Sequence, residues 1–217
     1  MRAGSAKMPE AAAKRVSPDA PPLILASASR ARLAILRGAG LRLEAMPAPI
    51  DEEAAKESLR AEGADAESLA AALAELKAVA VSSRHADALV IGGDQVLELD
   101  GTLFDKPPDR PAAREQLLAL RGRTHRLVSA AVLARGGARI WHAADSVHLT
   151  MRDFSEDFLD AYLDAAGESV CESVGAYRLE GTGVQLFDRI EGDYFTVLGL
   201  PLLPLLEVLR TQGVVVR

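Results

Sequence analysis

The run Ile91-Gly92-Gly93-Asp94-Gln95-Val96 follows the apolar residues Ala88-Leu89-Val90. Two glycines bring no Cβ, so another chain or a ligand can approach the backbone there closely. The first charge after them is Asp94, an acid placed to bind a metal ion or to take a proton from water. An ordinary turn aspartate would look the same in this segment alone. Other groups along the chain bear on the choice. Ser27-Ala28-Ser29-Arg30-Ala31-Arg32 offers two hydroxyls and two guanidinium groups beside the start of a helix, which is how phosphate oxygens are held. A serine before a helix is also a plain cap. Asp51-Glu52-Glu53 is an acidic cluster that reads either as ligands or as charges favouring a helix dipole.

The lysines add to this. Arginine outnumbers lysine 20 to 5, so each lysine carries information. Lys77 falls on the apolar side of an alanine-rich helical stretch, where a lysine has little structural reason to be. Lys106 follows in Phe104-Asp105-Lys106-Pro107. Arg32, Lys77 and Lys106 supply cations for a triphosphate, while Glu52 and Asp94 supply carboxylates for a divalent ion. Phosphoryl transfer needs that mixture.

The elements that must position these groups can be read from periodicity. A buried strand over 23–26 leads through Ser29, an N-cap, into a helix over 30–37 that Gly38 and Gly40 close. A second strand spans 41–46. Helical spacing holds over 66–83, with leucines at 69, 73 and 76. A third strand covers 88–90 and continues through the glycines to 99, where Asp100-Gly101 marks a hairpin to 102–104. Helices are expected over 110–120, from Ser155 to 165, and over 202–211. Long strands over 126–134 and 139–150 join at Gly136-Gly137. Early alternation followed by hairpins predicts a mixed α/β fold with a partly antiparallel sheet.

Composition narrows the function. With 217 residues, 49% hydrophobic and 26% charged, the chain has the make-up of a globular enzyme. A net charge of −6 argues against a nucleic-acid coat protein. The single Cys171 cannot form an intramolecular disulfide, which suits a reducing cytoplasm. No apolar run is long enough to span a membrane. Residues 1–21 read as a disordered extension rather than a secretory signal, and 22–217 as one domain. Trp141, His142 and His148 have no partners at metal spacing, and His125 reads as a structural hydrogen-bonding group. Cys171 reads as inert.

In order along the chain come Leu25-Ala26-Ser27-Ala28-Ser29 through Arg32, then Asp51-Glu52, Lys77, Gly93-Asp94, Lys106-Pro107 and Arg121-Gly122-Arg123-Thr124-His125. Gly175-Ala176-Tyr177, Glu191-Gly192-Asp193-Tyr194 and Val197-Leu198-Gly199-Leu200-Pro201-Leu202 follow. Taken together, these motifs resemble the Maf family of nucleoside triphosphate pyrophosphatases, once described as septum-formation inhibitors. The resemblance implies an elongated, ITPase-like mixed sheet with two lobes flanking a deep cleft. It also implies a cytoplasmic, commonly dimeric house-cleaning enzyme that uses Mg²⁺ or Mn²⁺. The reaction would be cleavage of the α–β phosphoanhydride to a nucleoside monophosphate and pyrophosphate. On this resemblance Asp94 accepts the proton of the attacking water, with Glu52 supporting the metal. Ser27, Ser29, Arg32, Lys77 and Lys106 would hold the phosphates.

The family divides by base. The dTTP and UTP branch typically shows an Arg-Arg pair after the first serines, a Thr after the catalytic Asp and a Gln in the Gly-aromatic segment. Here those places are Ala31, Gln95 and Glu180. Gln95 and Glu180 resemble the 7-methyl-GTP branch, whereas Ala31 departs from both. Two other readings remain: a non-catalytic regulator of septum formation, and a phosphatase releasing orthophosphate.

Overall fold

The structure, a computed structural model, describes residues 20–216. The expected extension, except its last two residues, lies outside the described residues. Among the described residues the chain forms seven strands, the central ones rich in Val, Ile and Leu: β1 (Leu23–Leu25), β2 (Glu44–Ala45), β3 (Leu89–Leu99), β4 (Thr102–Phe104), β5 (Thr124–Arg135), β6 (Ala138–Met151) and β7 (Phe187–Glu191). They make one mixed sheet in the order β2-β1-β3-β5-β6-β7, with β4 also alongside β3. The β1 pairings are parallel and the remainder antiparallel, in keeping with the mixed α/β expectation. At the β3–β4 turn Asp100 and Gly101 both adopt positive φ, as a tight hairpin of this kind requires.

The helices are α1 (Arg30–Gly38), α2 (Glu52–Ala61), α3 (Ala66–Ser82), α4 (Arg110–Leu120), α5 (Glu156–Ala166), α6 (Tyr194–Val197) and α7 (Leu202–Thr211). The first five start at Ser29, Asp51, Asp65, Asp109 and Ser155, each of whose side chains accepts a first-turn backbone N–H. Among the described residues no helix is long and apolar enough to cross a membrane.

Three expectations change. The second strand shrinks from 41–46 to Glu44–Ala45, since Leu41 is drawn into the core beside α1. Helix α2 was not expected: no residue of it is fully buried, and only Ala55 and Leu59 pack on the core. Leu76 breaks the expected leucine face of α3, staying exposed while Leu69 and Leu73 are buried. Between residues 167 and 186 lie three short 3₁₀ segments, 167–172, 174–176 and 182–186.

β3 organises the site. One edge pairs with β5 over residues 90–98. The other changes partner, with β1 covering 89–91 and β4 covering 97–99. Residues 92–96 have no strand on that side, and Asp94 sits in this gap. The strand runs straight through the two glycines, so Asp94 is not a turn residue. The glycines admit parts of the protein itself. A Cβ on Gly92 would lie 2.0 Å from the Ala74 carbonyl oxygen of α3. Asp94 shares that face of the strand, so the close approach brings Lys77, one turn along α3, within reach. A Cβ on Gly93, on the other face, would crowd the Arg32 side chain at 3.3 Å.

Apolar packing holds these layers, at ~1.5–3 kcal/mol per fully buried large side chain. On one face Leu69, Leu73 and Val81 of α3 pack on Ile24, Val90 and Val132. On the other, Ile35 and Leu36 of α1 and Leu205 and Leu209 of α7 pack on Leu25, Ile91 and Leu133. A separate cluster joins α4 and α5 to the far ends of β3, β5 and β6 through Leu117, Leu159, Leu97, Leu127 and Leu149. These are the two lobes, and the cleft enters between them at the gap in β3.

Candidate active site

The cleft measures about 570 Å³. Ser27, Ser29, Ala31, Arg32, Glu52, Lys77, Asp94, Gln95, Lys106 and Glu180, the residues singled out from sequence, all line it.

Its floor is an ion triad. Lys77 Nζ lies 2.6 Å from Asp94 Oδ1 and 2.6 Å from Glu52 Oε2. Lys77 is 6% and Asp94 8% exposed, whereas Glu52 opens to solvent. The lysine on the apolar side of α3 is thus paired rather than stranded. A buried cation of this kind persists only with such partners. Glu52 arrives because Asp51 caps α2, which sets the next residue at the mouth of the cleft.

Beside the triad stands the loop from β1 to α1. Ser29 is the cap the sequence suggested, its Oγ accepting the Arg32 N–H at 3.3 Å. Ser27 Oγ accepts from the Ser29 N–H at 3.2 Å and from Arg32 Nη1 at 3.3 Å. Arg32 also donates from Nε to the Gly199 carbonyl at 2.8 Å, so its guanidinium is fixed before anything binds. Burial pulls its pKa below the ordinary arginine value, with Asp94 and Glu52 opposing. Lys106 lines the cleft and is exposed as a residue. Partial burial, then Arg32 and Lys77, lowers its pKa, and Glu52 and Asp94 oppose that too. A concave wall of cations above two carboxylates favours a polyanion carried with a metal ion.

Ala31, Gln95, Tyr177 and Glu180 also line the cleft. The Gln95 amide nitrogen is shared among Ser129 Oγ and the carbonyls of Thr196 and Val197, at 2.9–3.1 Å. That leaves its oxygen as the group able to accept from a ligand. Glu180 is paired with Arg178 at 3.0 Å, a partner the sequence did not suggest.

Behind Tyr177 the structural reading of His125 holds. His125 is 1% exposed, and its Nε2 lies 2.8 Å from Tyr177 Oη. Burial pushes its pKa down to about 4. The fold therefore favours the neutral ring, so its contribution is complete above the unfolded value near 6.5 and is lost as pH falls from there towards 4. We expect unfolding in urea at pH 4.5 to cost the wild type up to roughly 3 kcal/mol relative to pH 7 from this residue. His125→Gln should be weaker at pH 7 and lose less on acidification. An equal loss in both proteins would remove His125 from the acid response. Trp141 is half-buried, and His142 and His148 are exposed on β6, away from the cleft. Cys171 is a free, half-buried thiol.

Sequence reasoning missed Lys56, Arg60, Asp105 and Arg178, which also line the cleft. The scarcity of lysine and the four-residue spacing of Lys56 and Arg60 were the available signals.

Residues 22–212 match the family model described as Maf-like protein. A nucleoside triphosphate pyrophosphatase of Granulibacter bethesdensis is 57% identical over 188 residues, covering 87% of this chain and 95% of that protein. One of the same name from Paramagnetospirillum magneticum is 57% identical, covering 88% and 98%. A 7-methyl-GTP pyrophosphatase of Rhizobium etli is 51% identical, covering 90% and 98%. With residues from most of the ordered motifs lining one cleft and similarity along almost its whole length, the chain belongs to the Maf family.

Proposed function

We propose that this protein hydrolyses the α–β phosphoanhydride of a nucleoside triphosphate, releasing the monophosphate and pyrophosphate, with 7-methyl-GTP or a related modified nucleotide as substrate. The observation that carries the reading is the Lys77 ammonium bracketed by Asp94 and Glu52 beneath a wall of cations. Arg32, Lys106, Lys77 and the Ser27 and Ser29 hydroxyls bind phosphate oxygens and hold the anhydride in line. Asp94 takes a proton from water as its oxygen bonds to phosphorus, and the bond to the bridging oxygen breaks.

Among the described residues no three His, Cys, Asp or Glu side chains converge as a metal cage. Two carboxylates within a phosphate site nevertheless suit Mg²⁺ or Mn²⁺, hard cations that take oxygen ligands. Glu52 and Asp94 would hold the ion, which supplies charge neutralisation at the phosphates. The working unit we infer is the domain over 22–217, as a cytoplasmic homodimer. The single cysteine supports the compartment and the family resemblance the pairing.

For the base, Gln95 and Glu180 both offer acceptors. Guanine presents N1–H and 2-amino donors to them, whereas thymine and uracil would set acceptor against acceptor at O4 or O2. Methylation at N7 adds positive charge, which Glu180 and the Tyr177 ring both favour. A hydrolysis panel with identified products tests this. We expect 7-methyl-GTP to exceed dTTP and UTP in kcat/KM by about ten- to a hundredfold, the effect of leaving a polar group unpaired once the bound base covers it. Glu180→Gln should narrow the gap. A wild type preferring dTTP or UTP overturns the base assignment, and release of orthophosphate overturns the reaction.

A further inference from the structure

One face of α2 carries more than Glu52. Glu52, Lys56 and Arg60 recur every four residues and so stand on the same side of the helix. Glu52 reaches Lys77. The other two converge on Asp105: Lys56 Nζ lies 3.1 Å from its Oδ1 and Arg60 Nη2 2.9 Å from its Oδ2. Both carboxylate oxygens of Asp105 are therefore held by α2. Its backbone carbonyl accepts a further bond from Gln116 Nε2 of α4 at 2.8 Å. Burial works against the Asp105 carboxylate, yet the Lys56 and Arg60 bonds outweigh it and keep its pKa below the usual value. Burial likewise opposes the Lys56 charge, and Asp105 outweighs it.

This grip has consequences beyond stability. An isolated exposed ion pair contributes little, but here two half-buried donors occupy one acceptor. They do so on a helix with no buried residue to place it, only the half-buried Ala55 and Leu59. The residue after Asp105 is Lys106, and buried Pro107 restricts Lys106 from the other side. The Lys106 backbone is thus fixed on both flanks, and one flank is tied to the helix that presents Glu52.

We propose that Asp105 is a positioning residue: gripped by Lys56 and Arg60, it sets Lys106 for phosphate binding and couples that lysine to Glu52. The inference rests on the nucleotide-hydrolysing reading above. Steady-state kinetics on folded variants, checked by circular dichroism, provide the test. Asp105→Asn should raise KM about tenfold with kcat within about threefold, the pattern of lost uniform binding. Lys56→Met, which leaves the Asp105 segment unchanged, should raise KM about threefold, and Asp105→Glu should fall between wild type and Asp105→Asn.

The deciding measurement is a double-mutant cycle. In a Lys106→Met background, Asp105→Asn should change KM by less than about twofold. If the full tenfold effect persists there, Asp105 does not act through Lys106 and the proposal fails. It fails equally if Lys56→Met keeps its whole effect in an Asp105→Asn background, since Lys56 would then touch phosphate directly. Binding of an α,β-methylene nucleoside triphosphate reads the same losses as Kd without turnover. A wild type that neither binds nor hydrolyses nucleotides sinks the underlying reading. A wild type that does both, matched by Asp105→Asn, sinks only this one.

Discussion

Asp94→Asn is expected to lose ~10²–10⁴ in kcat, the usual worth of a positioned general base, while remaining folded. The substitution keeps the size of the side chain and its place opposite Ala130 in the sheet. It removes the basic oxygen and the negative charge, so water has no acceptor for its proton and the divalent ion loses one of two carboxylates. The fold tolerates the change because Lys77 keeps Glu52 at 2.6 Å, and the buried ammonium is not left unpaired. Turnover of the best substrate, with thermal unfolding as the folding control, checks this. An Asn variant within a few-fold of wild type would leave Asp94 as a structural residue only.

Exhaustive chelation is expected to abolish turnover, and Mg²⁺ or Mn²⁺ to restore it. A triphosphate carries about four negative charges at neutral pH. Many cations line the cleft, but most are already engaged: Lys77 by Asp94 and Glu52, Lys56 and Arg60 by Asp105, Arg178 by Glu180 and Glu172. Among the described residues, Arg32 and Lys106 line it without a carboxylate partner. Two such charges do not balance four, and the two carboxylates of the triad would repel the substrate unless an ion lay between them. The check is activity after EDTA treatment and dialysis, followed by metal titration. Undiminished hydrolysis in the chelated enzyme would overturn the metal assignment.

By itself the sequence determined the mixed α/β character, the capped helices, the hairpin at Asp100-Gly101 and the ordered motifs. These are local or periodic signals: a cap is a contact over three residues, and alternation reports burial without naming the neighbour. Lys77 was legible for the same reason, since a charge on the apolar side of an alanine-rich helix contradicts the pattern around it. Asp94 was legible as an acid after two glycines, on a strand expected to continue through them to 99. Only the fold shows that Gly92 admits the backbone of α3 and Gly93 the side chain of Arg32. Tertiary structure alone brought Glu52, Lys77 and Asp94 onto one ammonium, because pairing between residues 52, 77 and 94 leaves no trace in spacing. It also decided α2, the grip on Asp105 and the pairing of Glu180 with Arg178. A short helix with no fully buried residue gives little core signal, and an ion pair is a choice of partner that the folded chain makes by proximity.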